Sequence, residues 1–451
     1  MHLRFFGGTG TVTGSKYLLE HEGRQLLVDA GLFQGLKQLR LRNWDAFPVP
    51  PRDIDAVILT HAHLDHSGYL PRLVAQGLRA PVYCTPATRD LCGLLLPDSG
   101  RLQEEEADYA NRHGFSRHHP ALALYDEADA QRALRRIEVR DFDESFEPLP
   151  GVSVRLRRAG HLLGAASVRV EWAGRSVLFS GDLGRSHDTL MRPPDPPQAA
   201  DTVLIESTYG DRLHGDVDPT AELEAVVNRT VRRGGIVLIP AFAVGRAQAL
   251  LLALHDLKVR DRIPDIPVFL NSPMAAGATG LYARHAHEHR VPADVFDAMC
   301  RSVRIVDGIE ESKRLNSLRM PAVIVSASGM ATGGRVLHHL KAFAPDPRNS
   351  IVFAGYQAVG TRGAKMVGGA VTVKIHGEHV PVRAEVVQIG ALSAHADRDE
   401  LLAWIGALPA APKRVLVTHG EPGASDVLRQ AIEERYGWPC WVPEHGEQLA
   451  L

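Results

Sequence analysis

The strongest constraint on this chain is a six-residue run, His61-Ala62-His63-Leu64-Asp65-His66, set directly after the apolar stretch AVILT. Four of those side chains offer imidazole nitrogen or carboxylate oxygen, the donor types that suit zinc. His61 and His63 are expected to project to one side of the loop and Asp65 and His66 to the other. Such a run can surround two ions and leave room for water on each. Two ions need further ligands, and three segments of the same kind supply candidates: His161 in AGHLLGA, Asp182 in SGDLG and His419 in VTHGE.

These segments share a pattern. A short β-branched or leucine-rich run breaks into polar or glycine-containing sequence in LLVDAG, SVLFSGDLG, TVLIESTYG, IVLIPAFAVG, AVIVSASGM and RVLVTHGE. In layered α/β proteins the carboxyl ends of strands gather along one edge, where ligands bind, so polar motifs at such ends converge. From about residue 219 to 345, strands alternate with helical segments such as PTAELEAVVNRTVRRGG, where Asp218 is placed to cap, and this predicts a doubly wound parallel sheet. The first 207 residues read mostly as strand after strand, with few helices, and a helix is expected to begin near Ser67.

With 451 residues, 45% of them hydrophobic and 23% charged, the chain is long enough for two cores and far from a disordered composition. No basic start with an apolar run and no membrane-length apolar stretch occurs, so a cytoplasmic protein without membrane partners is expected. Cys84, Cys92, Cys300 and Cys440 are scattered, which predicts reduced, mostly buried thiols and neither a disulfide framework nor a cysteine metal site. A formal net charge of -2 excludes a globally basic nucleic-acid binder, so any nucleic acid must be gripped locally. A second histidine-rich run, His285-Ala286-His287-Glu288-His289, reads as a solvated helix face.

The motif set Asp29, HAHLDH, His161, Asp182 and His419 resembles that of the metallo-β-lactamase superfamily. The resemblance implies that His61, His63 and His161 hold one zinc, that Asp65, His66 and His419 hold the other, that Asp182 bridges them, and that Asp29 orients the loop. A long interval separates Asp182 from His419, with Glu206 in IESTYG and His395 in LSAHAD at its flanks. In these features the chain is similar to the β-CASP family, and the RNW, SGYLPRLV, PAFAVGRAQ, SASGMATGG and GYQAVGTRG stretches resemble the branch with bacterial ribonucleases and the endonuclease subunit of the cleavage and polyadenylation specificity factor. The implied fold is α/β: an αββα sandwich over residues 1–207 and 388–451, with an inserted α/β domain over 208–387. The added C-terminal domain of ribonuclease J and the N-terminal modules of archaeal cleavage factors are not expected, so the grip on substrate falls to a two-domain cleft.

Similarity to this branch implies a ribonuclease with two zinc ions per chain, acting on single-stranded RNA as an endonuclease, with 5′–3′ exonuclease action also open, and a homodimer as an expected assembly. His395 is the candidate general acid, Glu206 would orient it, and Asp65 counts among the catalytic residues as well as the ligands. Ser328, Gly329, Met330, Thr332 and Gly333, between a strand and the helix RVLHHLKAF, match the family's phosphate-contacting loop, with Arg246 and Arg362 as candidate phosphate clamps. Two other readings stand beside this one. A DNA-processing relative is disfavoured by the histidine at position 419, and a catalytically silent RNA-binding scaffold is disfavoured by the intact ligand set.

Overall fold

The computed structural model describes residues 1–114, 116, 118–214, 219–355, 357–390 and 393–451. They divide into two compact units, one of residues 1–188, 192–213 and 395–451, the other of residues 189–191 and 214–394. The expected cap Asp218 lies outside the described residues.

Two seven-stranded sheets build the first unit. One runs Gln448–Ala450, His2–Gly7, Lys16–His21, Arg24–Val28, Ala56–Ile58, Val82–Cys84, Ile137–Val139; the other runs Cys440–Trp441, Arg414–Thr418, Thr202–Glu206, Arg175–Phe179, Ala166–Trp172, Val152–Arg158, Ser145–Leu149. Alternate residues of both sheets, among them Leu3, Phe5, Leu19, Val28, Val154, Leu156, Val168, Val170 and Phe179, form one buried cluster between them. Leu18, Leu27 and Val57, on the opposite faces of their strands, are buried as well. Strands covered on both faces are the mark of a four-layer αββα sandwich. Register brings the functional ends together: Val28 pairs with Ile58, and Glu206 pairs with Thr418, each just before or at a candidate site residue.

The second unit holds a six-stranded sheet in the order Arg304–Ile305, Val268–Leu270, Ala322–Ser326, Ile236–Pro240, Ser350–Ala354, Glu385–Ile389. Every pairing in it is parallel, as its helix-strand alternation demands. A two-stranded hairpin, Thr372–Ile375 with Glu378–Pro381, packs into its core through Val373, Ile375 and Val380.

Three expectations need correction. The strand-rich reading of the first 207 residues missed a 28-residue helix, Pro86–His113, whose interior Pro97 and polar second half hide the helical period. A helix expected near Ser67 begins at Leu64, which makes Asp65 and His66 helical, and a second one covers Leu70–Ala75. His285 and His289 do not share a solvated helix face: the helix ends at Arg284, and His289 is buried, stacked between Tyr282 and Phe296 at ring distances of 6.1 and 5.2 Å. Only His287 of that run is turned outward, and the aromatic neighbours explain why. No helix among the described residues is long and apolar enough to cross a membrane.

A buried cation sits beneath the loops of the first unit. Lys16 Nζ donates to the carbonyls of Gly14 at 3.0 Å and Gly31 at 2.6 Å, and lies over the rings of Phe33 and Tyr69 at 4.3 and 5.0 Å. Burial, reinforced by the neighbouring Arg42 charge, pulls its pKa from 10.5 down to about 7. Between those two values the unfolded chain binds the extra proton, so this group makes stability rise with pH by up to about 1.4 kcal/mol per pH unit. Lys16→Met keeps the straight stem and removes the ammonium, and is expected to flatten the rise in denaturant-measured stability between pH 7 and 9. Equal slopes for both proteins would assign the effect elsewhere.

Candidate metal centre

All of the expected ligands come from the carboxyl ends of strands in the first unit. Asp29 follows Arg24–Val28, the HAHLDH run follows Ala56–Ile58, His161 follows Val152–Arg158, Asp182 follows Arg175–Phe179 and His419 follows Arg414–Thr418. Two of these positions, Asp29 and His419, have left-handed backbone at φ 62 and 48, an arrangement that non-glycine residues hold only when their surroundings enforce it. At Asp29 the enforcement is visible: its carboxylate accepts from Thr60 N at 2.7 Å, from Thr60 Oγ1 at 2.9 Å and from His66 Nδ1 at 2.7 Å. His66 is thereby turned so that Nε2 faces the centre. Gly31 completes the wall, because a Cβ there would stand 1.7 Å from the Asp65 carbonyl oxygen.

The donor atoms form two groups. In the first, His63 Nδ1 lies 3.2 Å from both His61 Nε2 and His161 Nε2, while Asp182 Oδ2 lies 3.5 and 3.7 Å from His61 and His161. In the second, His66 Nε2 lies 3.1 Å from His419 Nε2 and 3.2 Å from Asp182 Oδ1, and Asp65 Oδ2 is 3.5 Å from His419 Nε2. A tetrahedron with metal–ligand bonds of ~2.0–2.1 Å has edges of roughly 3.3–3.4 Å, so the observed separations fit zinc. Asp182 belongs to both groups, one oxygen toward each.

Protonation agrees with ligation. Burial holds His61 well below the ordinary histidine range and brings His63 down to about 4, so their rings are neutral with lone pairs available. Burial opposes charge at Asp182, yet His419, His66 and His61 around it keep its carboxyl well below the usual range. His66 is the exception: although burial works against its charge, Asp182 and Asp29 raise it well above the ordinary value.

Beside the ligands, His395 Nδ1 lies 3.2 Å from each oxygen of Glu206, and its ring centre is 4.4 Å from that of His161. Glu206 is 1% exposed, and its carboxylate also accepts from Leu183 N at 2.7 Å and Thr208 N at 3.3 Å. Burial disfavours charge on His395, but Glu206 reverses the balance and raises its pKa. Sequence reading missed two residues of this region. Thr60 contacts Asp29 and His61, and Thr208 Oγ1 sits 3.1 Å from His419 Nδ1. The signal for both was adjacency, since each stands at a strand end within the motifs already noted.

The residues expected to meet phosphate lie in the second unit. Ser328 Oγ and Thr332 Oγ1 are 2.9 Å apart in the segment between Ala322–Ser326 and the helix Arg335–Phe343, with Thr332 exposed, Met330 and Gly333 half-buried, and Gly329 packed against Phe242. Arg362 directs one guanidinium nitrogen to the Ala331 carbonyl and Nε to that of Lys374 at 2.9 Å, so part of its donor capacity serves this loop. Arg246, at the start of the helix Arg246–Val259, is 7% exposed.

Three stretches of the chain match known protein families. Residues 9–216 match the metallo-beta-lactamase superfamily, 247–366 the Beta-Casp domain, and 379–443 a Zn-dependent metallo-hydrolase RNA specificity domain. The chain is 39% identical to Ribonuclease TTHA0252 of Thermus thermophilus over 423 residues, 92% of each protein. It is 32% identical to transcription termination factor FttA of Methanosarcina mazei over 450 residues, 95% of this chain and 68% of that one. A crystal structure of a protein of unknown function from Enterococcus faecalis V583 shares the fold, with a TM-score of 0.55 at 14% identity, covering 100% of this chain and 99% of that one.

Asp29→Asn keeps the size and the left-handed backbone but replaces the anion that orients His66. Outer partners of this kind are worth ~10- to 100-fold in metal affinity, and a loss of that size is expected in chelator competition. Unchanged metal retention would remove Asp29 from the ligand-orienting role.

Proposed function

Because the chain belongs to the metallo-β-lactamase superfamily and to its β-CASP branch, we propose that it is a ribonuclease that hydrolyses phosphodiester bonds of single-stranded RNA with two zinc ions per chain. The observation that carries this reading is the joint presence of seven donor side chains in two groups, with Asp182 close to histidines of both and the His395–Glu206 pair beside them. Ribonuclease TTHA0252, matched over 92% of its length, supports the same reading. Residues 208–387 are assigned as the inserted domain, and 1–207 with 388–451 as the hydrolase core.

Ions held by these ligands supply Lewis acidity toward a phosphoryl oxygen and acidify water near neutral pH. The protein supplies the rest. Glu206 binds His395 at Nδ1 and so leaves Nε2 as the atom that hands a proton to the departing 3′ oxygen. Its charge favours the protonated imidazole against the pull of burial. Asp29 and Thr60 hold the HAHLDH loop in place before substrate arrives. Products are then a 5′-phosphate and a 3′-hydroxyl, and the ribose 2′-hydroxyl takes no part in the bond changes. Preference for RNA arises in binding, through groups that contact that hydroxyl.

Metal analysis after zinc supplementation is expected to give about two ions per chain; a value held below one would refute the dinuclear reading. His395→Ala is expected to cut RNA cleavage by roughly 10²- to 10⁴-fold while metal content stays at the wild-type level. Loss of zinc together with activity would make His395 a ligand instead. Glu206→Gln should give a milder form of the same defect. End analysis of the products supplies an independent check, because a 2′,3′-cyclic phosphate would require the 2′-hydroxyl as nucleophile.

A further inference from the structure

A chain with a net charge of -2 must hold RNA through local features, and the first unit carries one that no catalytic role absorbs. Residues 34–44, QGLKQLRLRNW, contain Lys37, Arg40 and Arg42 and no acidic residue. Their short helix, Lys37–Leu41, buries none of its side chains. Asn43 and Phe47 are the anchors of this excursion. Asn43 Oδ1 accepts from Phe33 N at 2.9 Å and its Nδ2 donates to Phe33 O at 2.8 Å, while the Phe47 ring stacks on Tyr69 at 6.1 Å. Trp44, between the two anchors, is nevertheless 47% exposed, with the Arg72 guanidinium 5.9 Å from its ring centre.

An indole held in place by its neighbours and open to solvent, with a guanidinium near the ring and further cations in the same segment, is an arrangement that binds nucleobases by stacking and phosphates by charge. Arg40 has Glu106 of the long helix as a charge neighbour, and the Arg42 guanidinium lies 5.5 Å from the Phe33 ring centre, which leaves Lys37 and Arg42 as the segment's other cations. The position is close to the chemistry along the backbone: Phe33, which Asn43 holds, follows Leu32, whose N–H donates to the Leu64 carbonyl inside the HAHLDH loop at 2.8 Å.

We propose that Trp44, with Lys37 and Arg42, forms a stacking platform for a base of the single-stranded RNA substrate, outside the metal centre. The proposal rests on the ribonuclease reading and adds to it a second point of grip. Single-stranded RNA is favoured over a protein partner because the Arg72 guanidinium lies by the exposed ring and the segment 34–44 carries three basic residues against the one acidic residue, Asp45, that follows it.

Steady-state cleavage of a 12-nucleotide oligouridine by the zinc-loaded protein provides the test, combined with tryptophan fluorescence on mixing. Trp44→Ala is expected to raise KM by roughly 5- to 100-fold with kcat little changed, and Trp44→Phe to recover most of the loss. Lys37→Glu should raise KM less and reduce the salt dependence of log KM by about one. Of the five tryptophans, Trp44 should account for the quenching that RNA causes in wild type, and Trp44→Phe should abolish it. An unchanged KM in Trp44→Ala, or equal quenching in wild type and Trp44→Phe, would overturn the platform. If wild type cleaved no RNA, the ribonuclease reading would fall, and the quenching comparison would still decide whether Trp44 stacks on RNA.

Discussion

One carboxylate organises the first unit. Asp182 is 1% exposed and has imidazole nitrogens of His66, His419, His61 and His161 at 3.2, 3.4, 3.5 and 3.7 Å. A charge so deeply buried is sustained only by opposite charge, by hydrogen bonds or by a metal, and Asp182 in turn, with Asp29, favours the charged form of His66. The strand ends that carry these side chains therefore cannot shift independently. Asp29, Thr60 and Thr208 add a ring of hydrogen bonds behind the ligands, and the left-handed backbone at Asp29 and His419 is the strain that this crowding sustains.

Much of this centre was legible because ligand types are few and strand ends are easy to recognise. HAHLDH after AVILT, and single histidines or aspartates after other apolar runs, identify positions that register then brings to one edge. Thr60 and Thr208 were not legible, since a threonine at a strand end has many uses and only distance reveals its partner. Lys16 was hidden too: a lysine inside KYLLEH reads as the polar start of a strand, and nothing local says that two carbonyls and two rings wait for its ammonium.

The fold shows the same contrast. Parallel pairing in the second unit followed from alternating helices and strands, a pattern spread over many residues. Single elements with mixed signals were lost: Pro97 masked a long helix, and histidines that look like surface residues were drawn inward by Tyr282 and Phe296. Superfamily membership accounts for the layers and the pattern of donor residues, whereas the setting of Lys16 is seen only in its contacts with two carbonyls and two rings.

The strand Arg414–Thr418 lies inside its sheet, between Thr202–Glu206 and Cys440–Trp441, and His419 comes immediately after it. During synthesis from the N-terminus, most of the HAHLDH domain therefore emerges from the ribosome long before the sheet gains that interior strand or the centre gains its last histidine. An incomplete polypeptide carries His61 through Asp182 without the means to finish the second group of donors. A polypeptide that stops short of residue 419 thus presents His61, His63, His161 and Asp182 but not the histidine that joins Asp65 and His66.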